Sequence, residues 1–304
     1  MQAPLIAQCQ LAGKSLFEVC SVDHQLTGIN GEASVRNIVQ LRGHQRLVEG
    51  RHGSFVYNLH DHYVGKALEL YGEYCEPEIQ LFLQLISVGG DVIEIGANIG
   101  THTVPLARAP SGARVHAFEP QPVVFQNLCA NLSVNCCENV LAWPMAVGSE
   151  RGRLIVPAVD YGQAGNFGAV SLAAEGPGLP VEVTTLDSYA ADLASICLIK
   201  ADVEGMEREV LLGAKQTIQR CRPILYLEND RVKQSQALIE TCWELGYRLY
   251  WHTPMLYNPD NFFGNPENIY VGVAAFNMLC VPNESAMQVT EAQMITDSRH
   301  HPLL

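Results

Sequence analysis

Glu94-Ile95-Gly96-Ala97-Asn98-Ile99-Gly100 closes the apolar run that begins at Asp91, and the reading of this stretch decides the fold. A strand that ends in a turn of small residues lets backbone approach a ligand. A helix starting after Gly100 then turns its N-terminus toward the same spot. Asn98 stands where a glycine is more usual; asparagine accepts left-handed backbone angles cheaply, so the turn remains possible. Outward from this point strand and helix alternate: apolar ARVHAFEP at 113–120, helical spacing over 121–135, NVLAWPMAV at 139–147. The pattern resumes with ICLIKADV at 196–203, a helix over about 204–220, PILYLEN at 223–229, a helix over 234–245 and YRLYWHT at 247–253. Such alternation implies parallel pairing through right-handed crossovers. No helix separates YRLYWHT from the last strand, NMLCVP at 277–282, so these two are expected to pair antiparallel at one edge. The expected fold is α/β: a doubly wound, Rossmann-like sheet of seven strands, mostly parallel with one antiparallel edge strand, plus an N-terminal cap.

At 304 residues the chain can bury a sizeable core, and 48% hydrophobic against 17% charged residues is the balance of a packed globular protein. The expected organisation is a cap over residues 1–70, with a hairpin from 45–48 and 54–57, a catalytic domain over 71–282, and a loose tail over 283–304. Helical spacing over 76–86 places Pro77 in the first turn. The formal net charge is −13, and no Lys/Arg-rich block occurs, so a nucleic acid is not an expected partner. Ten cysteines are scattered without a CxxC pair and read as reduced. The opening MQAPLIAQCQ has neither a basic start nor a long apolar stretch, and no run approaches the roughly 18 apolar residues of a membrane span. A cytoplasmic protein free of the membrane, with a homodimer as an option, is the expectation.

Glu94 discriminates among ligands. A carboxylate just ahead of the glycine turn would harm a pyrophosphate site, whereas S-adenosylmethionine (SAM) has no phosphate and offers an ammonium and a sulfonium. Glu119, ending the next strand in Phe118-Glu119-Pro120, suits a ribose diol. NAD is the rival, but it calls for GxGxxG, and here two glycines stand four apart. A tight turn with no ligand is the plain alternative for Gly96 and Gly100.

The combination of VIEIGANIGTHTVPLA (92–107), HAFEPQPVVFQNLCANL (116–132), TTLDSY (184–189), LIKADVEGMEREVLLGA (198–214) and RPILYLEN (222–229) resembles the FkbM-like SAM-dependent methyltransferases. The resemblance covers residues 70–230 or so and none of 1–50. It implies a class I methyltransferase fold, SAM as donor, and O-methylation of a hydroxyl or carboxyl on a small molecule, sugar or glycan. By the matching motifs, Glu94, Gly96, Ala97, Asn98 and Gly100 would line the methionine part. Glu119 and Pro120 would lie at the ribose, and Ala146 and Val147 beside the adenine. Tyr71, in a segment common in the family, would close over SAM, with an ordinary helix entry as its alternative.

In open parallel sheets chemistry occurs outside the carboxyl ends of the strands. There Asp202 and Glu204 follow the fourth strand, and Glu228, Asn229 and Asp230 follow the fifth. Three readings stand: Asp202 or Glu204 is a general base; Asp202, Glu228 and Asn229 hold Mg²⁺ through oxygen; or Asp202 and Glu204 cap the next helix. His102 and His252 are alternative bases, and Lys200 has its plain reading as the partner of an acid. No DPPY or NPPY follows the fourth strand and no cysteine stands where a carbon-methylating nucleophile would, so oxygen is the preferred acceptor. A SAM-binding module without catalysis is the rival from another class. The irregular stretches 157–180 and 252–268 are expected to wall a substrate pocket.

Overall fold

The computed structural model describes residues 7–8, 37–86 and 89–304. The readings of Cys9, Cys20 and the chain's opening residues lie outside them. Seven strands form the central sheet: β1 (Asp91–Ile95), β2 (Val115–Phe118), β3 (Val140–Trp143), β4 (Ile196–Ala201), β5 (Ile224–Glu228), β6 (Tyr247–His252) and β7 (Asn277–Pro282). Their order is β6-β7-β5-β4-β1-β2-β3. β3, β2, β1, β4 and β5 pair parallel, and β7 runs antiparallel to both β5 and β6. The reversed strand thus sits one place in from the edge, and β6 closes it. Both faces are covered, which is why these strands read as continuous apolar runs. Ile93, Ile95, Ile199 and Leu225 pack against the helices Glu207–Leu212, Lys215–Cys221 and Val232–Glu244. Val92, Val115 and Leu279 pack on the other side with residues of the helices Glu76–Leu85, Thr103–Ala107 and Pro122–Val134.

That second face is interrupted by one polar row, set by register: Glu94 on β1 stands beside Lys200 on β4, which stands beside Tyr226 on β5. Two residues further along, the same face carries Gly96, Asp202 and Glu228 at the carboxyl edge. The functional region grows from this edge.

The expected hairpin is present as Gly53–Asn58 paired antiparallel with Gln45–Gly50. Its Val48, Phe55 and Tyr57 share a core with Val92 and Leu128. Asn131, fully buried, ties it to the glycine turn: Oδ1 accepts from the Val56 N–H at 2.6 Å, and Nδ2 donates to the carbonyls of Val56 (3.1 Å) and Ile99 (2.7 Å).

Three expectations change. The third strand breaks at Pro144, which has no N–H for a ladder. Ala146–Val147 leaves the main sheet and pairs parallel with Val183 and Thr184 of Gly178–Thr184. The helix expected over 204–220 starts at Glu207 and divides at Gly213, where a Cβ would lie 2.0 Å from the Gly148 carbonyl oxygen. The tail is not loose: Trp251 and Ile295 join it to β6 by backbone hydrogen bonds, and buried His301 lies 2.7 Å from the Asn229 carbonyl oxygen. A carbonyl only accepts, so His301 Nε2 is the donor.

Candidate functional site

The glycine turn meets the end of β4. Gly96 has φ of 82°, and a Cβ there would stand 1.8 Å from the Asp202 carbonyl oxygen, so only glycine lets these backbones close. Asn98 takes the left-handed conformation (φ 51°), as its residue type allows, and its Oδ1 accepts from the Ile99 N–H at 2.7 Å. Its own N–H donates to Glu119 Oε2 at 3.0 Å, and the Gln121 N–H donates to Oε1 at 2.9 Å. Burial raises the Glu119 carboxyl to about 7, against the pull of those two N–H groups.

A cleft of about 450 Å³ opens here. Of the residues expected from sequence, Gly96, Glu119, Pro120, Ala146, Asp202 and Glu204 line it. Its apolar wall comes from Phe118, Met145, Val147, Val170, Leu172 and Met206. The Gly- and Pro-rich stretch forms part of that wall and is tied across the cleft: Gln121 Nε2 donates to the Phe167 carbonyl (2.9 Å), and Ser171 Oγ to the Glu204 carbonyl (3.0 Å). The stretch over 252–268 does not line it. Instead Asn258 Nδ2 and the Phe262 N–H grip buried Glu73 at 2.7 and 2.8 Å.

Several expected residues stand elsewhere. Glu94 is wholly buried and is not among the residues that line the cleft with Glu119. Its Oε2 accepts from Thr103 Oγ1 at 2.6 Å, and its Oε1 has no hydrogen-bond partner among the described residues. Burial lifts it to about 7, moderated by Lys200. Lys200, its register neighbour on β4, places a positive charge beside it. Ala97, Asn98 and Gly100 build the turn without lining the cleft; a Cβ on Gly100 would press Leu128 at 2.8 Å. Tyr71 is turned away: its hydroxyl donates to the Glu267 carbonyl (2.9 Å) and accepts from the Ile269 N–H (3.0 Å). His102 is buried edge-on to Phe82, with Nε2 3.5 Å from Glu78 Oε2. Burial, then Lys200, hold it well below the usual imidazole range. His252 is likewise spent, on the Tyr226 hydroxyl at 2.7 Å.

Asp202, Glu204 and Glu228 do converge, one carboxylate oxygen of each lying within 4.8 Å of the others. Burial and mutual repulsion raise Glu204 and Glu228 above the usual carboxylate range. Asn229 is absent from the group: its Nδ2 points to Met278 Sδ at 3.2 Å. Lys200 Nζ lies 3.2 Å from Asp202 Oδ2, and Arg231 pairs with Glu204. An ammonium and a guanidinium already occupy two of the three carboxylates, so the group does not fit a divalent cation. No side chain caps the helix that starts at Glu207, but the loop before it is held by a residue that sequence reasoning missed. Glu207 Oε1 accepts from the N–H groups of Val203 (3.0 Å) and Gly205 (3.2 Å) and so shapes the loop in which Glu204 takes a φ of 57°. An acid at the first helical turn was its available signal.

A seven-stranded sheet with this order and one reversed strand, carrying a glycine turn and an acidic strand end at one cleft, is the class I methyltransferase fold. The sequence model of the methyltransferase FkbM domain matches residues 94–249, and the chain belongs to that family. No curated protein matches the chain. Among solved structures it is similar to methyltransferase FkbM from Methylobacillus flagellatus KT, at 19% identity and a TM-score of 0.42, over 63% of this chain and 43% of that one. It is similar also to a precorrin-6y C5,15-methyltransferase from Geobacter metallireducens GS-15 (15% identity, TM-score 0.40, 67% and 87% of the two chains). A third is M. jannaschii TYW2 in complex with AdoMet (11% identity, TM-score 0.40, 80% and 86%). The chain therefore spans less than half of the Methylobacillus protein. Among the described residues no helix is long and apolar enough to cross a membrane.

Proposed function

We propose that this protein methylates a hydroxyl oxygen on a small molecule, sugar or glycan. The observation that carries the reading is that Asp202 and Glu204, at the end of β4, open into the same cleft as Glu119. When bound, SAM supplies a methyl group on a sulfonium. Glu119 takes the ribose diol at one wall, Gly96 leaves room for the methionine part, and the apolar wall around Ala146 receives the adenine. The acceptor hydroxyl docks against Asp202 and Glu204 in line with the methyl. As the oxygen–carbon bond forms and the sulfur–carbon bond breaks, the hydroxyl proton passes to the Asp202 carboxylate. Glu204 lines the same cleft, with Glu228 close behind, and such a group of acids disfavours a carboxylate or phosphate acceptor. The chain's net charge of −13 works in the same direction against nucleic acid.

Incubating the protein with isotopically labelled SAM and a cognate extract tests this. An enzyme-dependent product one methyl heavier, and heavier again with the label, is expected; its O-methyl linkage is read by fragmentation. Tight SAM binding with no transfer to any extract would instead select a binding module.

A further inference from the structure

We propose that Lys200 is a positioning residue for methyl transfer: from inside the sheet it holds the Asp202 carboxylate at the mouth of the cleft. The inference rests on the reading that Asp202 meets the acceptor. Lys200 is 2% exposed, and a charge so buried persists only where partners repay its lost hydration. Carboxylates reach it from three elements: Asp202 beyond the end of its own strand, Glu94 from β1 and Glu78 from the helix Glu76–Leu85. Together they outweigh burial and hold the ammonium protonated.

The three acids are not equivalent. Glu94 is anchored by Thr103 Oγ1 at 2.6 Å and Glu78 by Asn277 Nδ2 at 2.9 Å, both deep in the core. Asp202 has a side chain 40% exposed, and among the described residues its carboxylate takes its hydrogen bond from Lys200 at 3.2 Å. Glu94 and Glu78 are thus fixed in place and add their attraction to the ammonium, whose ion pair with Asp202 at 3.2 Å orients the carboxylate that opens on the cleft. Without the ammonium Asp202 would face Glu204 and Glu228 with only Arg231, held by Glu204, to offset their repulsion, and would swing outward.

The full-length wild type, Lys200→Met, Lys200→Arg, Asp202→Asn and the Lys200→Met/Asp202→Asn double variant test the inference. SAM affinity is read by calorimetry, and kcat and KM by transfer from labelled SAM to the extract's acceptor fraction. Lys200→Met is expected to leave SAM affinity intact and to lower kcat about 100-fold, the loss that a displacement of about 1 Å brings. The double variant should lose no more than the worse single, because both act through one carboxylate. Lys200→Arg should restore a large part of the rate. Wild-type turnover in Lys200→Met, or losses that multiply in the double variant, would overturn the inference.

Should Lys200→Met not fold, the ¹⁵N resonance of the Lys200 ammonium decides. It should be protected from exchange in the wild type and lose protection in Asp202→Asn; an unchanged signal overturns the proposal. A wild type that transfers no methyl group fails the functional reading and this inference with it. An active wild type with an equally active Lys200→Met fails the inference alone.

Discussion

Replacing Gly96 with alanine separates backbone approach from backbone conformation. The added Cβ would stand 1.8 Å from the Asp202 carbonyl oxygen, where ordinary contact begins at 3.4 Å, and the obstacle is backbone rather than a flexible side-chain end. The turn or the end of β4 must therefore retreat by more than about 1 Å, a displacement that typically costs about 100-fold in function. A left-handed φ costs about 1–2 kcal/mol in any non-glycine residue, and overpacking adds about 1–3. Gly112 is the control: its φ is 64°, yet nothing lies within 4 Å of its Cβ. Gly112→Ala should lower the melting temperature by about 2–3 °C and leave SAM affinity unchanged. Gly96→Ala should lower it by about 3–8 °C and weaken SAM binding about 100-fold. Differential scanning calorimetry and titration calorimetry with SAM report both quantities. Equal effects from the two substitutions would refute the claim that close approach to Asp202 is what requires glycine.

Glu119→Ala should weaken SAM binding by tenfold or more, since it removes the ribose partner and leaves the N–H groups of Asn98 and Gln121 unpaired, at about 1–3 kcal/mol each; titration with SAM checks it. Stability should depend on pH with a definite sign. Glu78, Glu94, Glu119 and Glu207 are raised by burial from 4.5 to about 7, so between those values the folded state binds more protons than the unfolded one. Their stabilising contribution is complete below about pH 4.5 and is lost as the pH rises through about 7, so the ligand-free protein should melt higher near pH 5.5 than near pH 7.5 in a calorimetric series. Excess chelator should leave methyl transfer unchanged in desalted protein, because Lys200 and Arg231 already pair with two of the three convergent acids. Glu207→Ala should destabilise by about 1–3 kcal/mol through two freed N–H groups and lower turnover by releasing Glu204, as seen by thermal melting and rate measurement.

The alternation of apolar runs with helical spacing, and the turn at Gly96–Gly100, were enough for the sequence alone to determine a doubly wound sheet and the edge at which its cleft opens. Those features are local: strand, turn and helix are neighbours in the chain, so residue type and spacing carry them. Glu119 was legible for the same reason, ending a strand beside the first.

What lay beyond the sequence depends on which residues from distant segments meet. Glu94 and Glu119 look alike as acids at strand ends, but the register of β4 against β1 sets one beside buried Lys200 and leaves the other on the cleft. Glu204 replaces Asn229 in the acid cluster because Gly205 and Glu207 bend the loop after β4, while Asn229 is drawn into the core and its carbonyl is held by His301 of the tail. The residue types announced that carboxylates would gather at this edge. Only packing across β1, β4 and β5 decided which of them face solvent and which are spent holding a buried ammonium, because burial and pairing are properties of the assembled sheet.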